Sequence, residues 1–96
     1  MTFLLMPPPD IYNYTGAYSV WSKPAAIMQK ACGTDRHDVV GCSFTVGENC
    51  YIVLDDTLNA HNYKRVLKHE LAHCAGWPGD HPNAHKELFY PTQVTK

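Results

Sequence analysis

The stretch DTLNAHNYKRVLKHELAHCAGWPG, residues 56–79, constrains the fold more than any other part of the chain. It predicts a helix from about Leu58 to Ala75. Asp56 or Thr57 supplies a side-chain acceptor for the first turn. Gly76 supplies the stop, where a residue without a Cβ takes the left-handed conformation that closes a helix. Trp77-Pro78-Gly79 then forces a turn. On a helical wheel, Ala60, Tyr63, Leu67, Leu71 and Cys74 gather on one side, the expected core stripe. His69 and His73 fall about 40° apart on the opposite side. Glu70 lies between the two faces, and Val66 sits near the histidines.

The remaining sequence supplies what this helix packs on. VVGCSFTV and CYIVLDD read as strands with GEN between them, residues 47–49. The second is the most continuous apolar run, so it is either a buried strand or one beside a cleft that pairs with an extended peptide. Upstream, PPPD is a stiff extended lead-in, and IYNYTGAYSVW is a short hairpin or an edge strand. Ser22 with Lys23-Pro24 reads as the cap and first turn of a helix that ends at Cys32, before Gly33. Downstream, Asp80 or His81 caps a short helix from Pro82 to about Tyr90, which Pro91 ends. There is no internal repeat. The predicted class is α+β: a small antiparallel sheet or hairpin packed on the 58–75 helix, with a short C-terminal helix, in one domain over residues 1–96.

Charge and cysteine content narrow the partners. The net charge is −1 and the isoelectric point is near 6.6, so no basic field draws the chain to nucleic acid or to an anionic membrane. The opening MTFLLM is too short and lacks the basic lead of a signal peptide or a membrane span. Cys32, Cys42, Cys50 and Cys74 contain no C-x-x-C pair, which argues against a zinc ribbon or a thioredoxin-like site. They are disulfides, thiolate ligands or small apolar residues. A Cys32–Cys42 link would close a short loop between a helix end and a strand, and disulfides would imply an oxidising compartment.

His69-Glu70-Leu71-Ala72-His73 carries the chemistry. Residues four apart stack one turn above another, so two imidazoles reach one ion. Glu70 is rotated away, free to take a proton from water that the ion has acidified. With the His and Glu content of this chain, the pattern arises by chance about once in a hundred such sequences. The ordinary alternative is a helix whose polar face happens to carry these residues.

The five residues resemble the active-site helix of the zincin metallopeptidases, and Cys74-Ala75-Gly76 extends the resemblance towards the metzincin branch. The resemblance implies a catalytic zinc ion, two ligands in His69 and His73, Glu70 as general base and a peptide or protein substrate. In the metzincin pattern a third histidine follows the glycine by three positions. Here that position is Gly79, and His81 comes two later. No Met follows Met28, so the Met-turn of that branch is missing.

His81 is the first choice for third ligand, returned by the Gly76 turn. Asp80 is the next, since some zincins use Asp there. His85 follows, and Glu87, placed downstream as in the gluzincin branch. A strand cysteine in Gly41-Cys42-Ser43 would match peptide deformylases. His37 and His61 read as surface residues. Tyr90 is a candidate for oxyanion stabilisation, and Tyr63 for packing. Trp77 reads as pinning the turn to the core. The function expected is a zinc metallopeptidase. The alternatives are a zinc module without catalysis, closed by a fourth protein ligand, and a small interaction protein without metal.

Overall fold

The computed structural model describes residues 3–5, 8–35, 39–79, 81, 87–89 and 94–95. The elements in chain order are strands β1 (Phe3–Leu5) and β2 (Ala17–Lys23), helix α1 (Ala25–Ala31), strands β3 (Val39–Val46) and β4 (Asn49–Asp55), helix α2 (Ala60–Cys74), and strands β5 (Glu87–Phe89) and β6 (Val94–Thr95). The class is α+β, as expected.

The main sheet has the order β2-β4-β3-β6. β3 and β4 form the expected hairpin, with Val46 opposite Asn49. Gly47 supplies the positive φ of 61° that a two-residue loop needs at its first position. The sheet is mixed rather than antiparallel. Residues 17–23 form no hairpin; they add to β4 as a parallel edge strand, from Ala17 opposite Asn49 to Lys23 opposite Asp55. β4 is therefore flanked on both sides and cannot accept a further strand. β3 pairs with β6 only at Val39 and Gly41, so from Cys42 to Val46 its far edge meets no strand among the described residues.

Period-two alternation divides the core between the two helices. Met28 and Cys32 of the α1 end pack with Val39, Cys42 and Val53 on one face. On the other, Cys50, Ile52 and Leu54 of β4 meet Val66 of α2. One disulfide ties each layer. Cys32–Cys42 joins the end of α1 to β3, with 5.8 Å between Cα atoms. Cys50–Cys74 joins the start of β4 to the last residue of α2, with 6.0 Å between Cα atoms. The first is the link named from the sequence.

Three local expectations are corrected. Ser22 lies in β2 and caps nothing; Pro24 occupies the N-cap position of α1 without a side-chain bond. α2 starts later than expected and is capped by Asn59, whose side chain accepts the Asn62 N–H at 2.8 Å. The reason is local competition: Asp55 Oδ1 accepts both the N–H and the hydroxyl of Thr57, which folds 55–57 into a turn instead. Glu87–Phe89 is a strand paired antiparallel with Phe3–Leu5, not the end of a helix. Here long-range backbone pairing outweighs the local helical pattern at 87–89. Residues 82–86 and 90 of that expected helix lie outside the described residues. No helix among the described residues is long and apolar enough to cross a membrane.

The face of α2 that is sealed also differs from the expected one. Asn62, Val66, His69, Glu70 and Ala72 are the buried residues. Tyr63, Leu67, Leu71 and Cys74 are only half-buried against the core, and Ala60 is exposed. The histidine side of the helix lies on the sheet. Gly41 is what lets it sit there: a Cβ at that position would stand 2.6 Å from Val66 Cγ1 and 3.1 Å from Leu54 Cδ2. A glycine inside a strand marks such a close approach.

Candidate metal centre

The site forms where α2 ends. Ala75 caps the helix, the Gly76 N–H donates to His73 O at 3.0 Å, and the Trp77 N–H donates to Ala72 O at 3.0 Å. Gly76 takes φ 102° to make this possible. These are the paired bonds of a Schellman closure. A second turn follows, in which the His81 N–H donates to Pro78 O at 3.0 Å. His81 itself sits at φ 56°. That left-handed conformation costs a non-glycine residue about 1 kcal/mol and persists only where the surroundings hold it.

These two turns return His81 over the last turn of α2. Its Nε2 lies 3.1 Å from His69 Nε2 and 3.1 Å from His73 Nε2, and those two are 3.1 Å from each other. Three imidazole nitrogens thus close an equilateral triangle, a cluster that can hold one metal ion. His69 is fully buried, and the other two are half-buried. His73 Nδ1 stands 2.8 Å from the Trp77 carbonyl oxygen. A carbonyl only accepts, so Nδ1 carries the hydrogen and Nε2 of the neutral ring presents a lone pair to the triangle. Lone pairs converging at this distance repel unless a proton or a cation lies among them, and a carbonyl behind the ring is a common support for a metal-binding histidine.

Glu70 is also fully buried. Its Oε2 would be 3.4 Å from a Cβ on Gly41, so the carboxylate lies against β3. Glu70 and His73 share with Gly79 one side of a cavity of about 290 Å³. The other side is β3 from Cys42 to Thr45, with the Cys32–Cys42 disulfide. Two further cavities contain none of the three histidines. One lies between residues 8–14 and α2, the other on the outer sheet face beside Trp21 and Tyr51.

Thus His69, His73 and His81 are brought together, and Glu70 lines the same cavity as His73. The two extra residues before His81 are taken up by the Pro78–His81 turn. All four cysteines are in disulfides, so Cys42 is not a thiolate ligand. His61 is exposed in the first turn of α2 and accepts from Arg65 Nη1 at 3.2 Å. Tyr63 packs against the core. Glu87 belongs to β5, and His37, Asp80, His85 and Tyr90 lie outside the described residues. Trp77 is buried as expected, but its contacts with the histidine rings are not readable from the pattern. Neither is the close approach at Gly41, although an isolated glycine inside VVGCSFTV is the signal that points to it. No protein family, no curated protein and no solved structure matches the chain.

Proposed function

We propose that this chain is a zinc-dependent peptidase in which His69, His73 and His81 hold the ion and Glu70 is the general base. The observation that carries the reading is the 3.1 Å Nε2 triangle, one corner of which, His73, lines a cavity together with the buried Glu70 carboxylate. Three nitrogens at zinc's bonding distance and tetrahedral angles would stand about 3.3 Å apart, so the donor set fits zinc. Three histidines are a known ligand set of catalytic zinc sites. When bound, the ion supplies Lewis-acid polarisation of a carbonyl and acidifies water.

The chain's own residues have separate tasks in this reading. The three imidazoles bind, and the Trp77 carbonyl fixes the tautomer of His73. Glu70 accepts the proton of the attacking water and returns it to the departing amine. The β3 edge from Cys42 to Val46, which meets no strand among the described residues, offers backbone groups to an extended peptide, beside the cavity that holds Glu70. This moves the expected peptide-pairing strand from residues 50–54 to its neighbour. The likeness of His69–His73 to the zincin helix supports the same reading, and two disulfides suit an oxidising compartment.

The test is metal content and proteolysis of wild type and Glu70→Gln. The expected result is one zinc per chain in both. Cleavage of an unstructured protein should be seen only in wild type and fall by about 10²- to 10⁴-fold in the variant. Zinc bound with no cleavage in either would point to a non-catalytic zinc module, and no zinc would remove both readings.

A further inference from the structure

Trp77 stands in an unusual place. Its ring centroid lies 5.1 Å from that of His69, 5.0 Å from His73 and 5.0 Å from His81. It meets each ring in a different attitude. The plane is tilted 21° to His73, a stacked contact, and 73° and 69° to His69 and His81, both edge contacts. The side chain is 2% exposed, and Tyr12 packs near it at 6.3 Å between centroids. Its backbone is fixed at both ends, by the N–H to Ala72 O and by the carbonyl that accepts from His73.

We infer that the Trp77 indole is a positioning residue for the metal centre, a rigid plate against which all three ligand rings are set before an ion arrives. This rests on the reading of the triad as a metal site. An imidazole's χ2 well is broad, so a ring with nothing beside it samples orientations that miss the ion. A plate touching all three rings removes that freedom once, in folding, instead of at each binding event. The buried indole also keeps water from the ring faces it covers, which lowers the local dielectric there. The same residue closes the helix through its backbone, so the helix end and the ligand geometry are set together.

The experiment separates this role from general stability and from the metal reading itself. Trp77→Leu keeps an apolar side chain and the backbone bonds but loses the plane. Its zinc affinity should fall about 10- to 100-fold, and Trp77→Phe should recover most of that loss. The cobalt-loaded Trp77→Leu protein should show an altered d–d absorption spectrum, which a merely structural role would not produce. In a Trp21→Phe background, Trp77 is the sole tryptophan, and its emission should change on adding cobalt and saturate at one equivalent. This measurement holds even where Trp77→Leu fails to fold. Wild-type zinc affinity and an unchanged cobalt spectrum in Trp77→Leu overturn the inference while the metal reading stands. A silent Trp77 emission at full cobalt occupancy does the same. A wild-type chain that holds no ion ends the metal reading and the role of Trp77 with it.

Discussion

Gly41→Ala should loosen the site without touching a ligand. The new Cβ would lie 2.6 Å from Val66 Cγ1, 3.1 Å from Leu54 Cδ2 and 3.4 Å from Glu70 Oε2. Carbon atoms pack best at about 3.5 to 4.0 Å, so strand and helix must part by roughly 1 Å. Val66 is fully buried and stiff at χ1, so it cannot turn aside. Overpacking of this kind costs about 1 to 3 kcal/mol. Working against it is the restricted unfolded chain, which favours Ala over Gly by about 0.4 to 1 kcal/mol where the backbone accepts it. The steric term wins, leaving a net loss of roughly 1 to 2 kcal/mol. For a domain of this size that lowers Tm by roughly 5 to 15 °C, read by thermal circular dichroism with the disulfides intact. Because Glu70 rides on the displaced helix, cleavage should fall by about 10²-fold as well. Val66→Ala alone loses buried methyl groups and costs roughly 2 kcal/mol. In the double variant the closest contact, with Val66, is gone, so its loss should be smaller than the sum of the two by about 1 kcal/mol. A Gly41→Ala chain as stable as wild type, or losses that simply add, would refute the close-approach argument.

Two further outcomes follow from the same structure. Replacing Cys50 and Cys74 together with Ala opens a loop of sequence separation 24 and should cost about 3.5 kcal/mol, against about 2.8 kcal/mol for the Cys32–Cys42 pair at separation 10. Denaturant unfolding measures both, and only the first should also weaken zinc binding, because Cys74 adjoins His73. Chelation should lower Tm as well: a ligand present at a thousand times its Kd stabilises by about 4 kcal/mol, on the order of 15 to 30 °C here. His81→Ala should abolish most of that chelator-dependent shift, and a full shift in this variant would remove His81 from the ligand set.

Much of this was legible from short-range pattern. The β3–β4 hairpin, the helix that carries His69, Glu70 and His73, the Gly76 stop and the Cys32–Cys42 link all rest on residues close in sequence. The helix boundary is not legible because Asp55 and Thr57 bond each other, a competition between neighbouring residues that a cap rule does not weigh. The fully sealed stripe of α2 is hidden for a different reason, although Tyr63, Leu67, Leu71 and Cys74 do pack against the core. A wheel counts apolar residues, whereas α2 buries a stripe containing an asparagine, a histidine and a glutamate. A polar stripe is sealed only where other polar groups or an ion compensate it, and for His69 the neighbour is His81, which comes back only after the helix has ended.

By itself, then, the sequence determined the local geometry: two imidazoles one turn apart on one face with a carboxylate rotated to the side, because helical spacing allows no other outcome. Only the tertiary structure decided that β2 lies parallel beside β4, that 87–89 pairs with 3–5, and that His81 comes back to the triangle. These depend on pairing and packing between distant residues. Their backbone bonds and steric fits, such as Gly41 under Val66, leave no periodic trace in the chain.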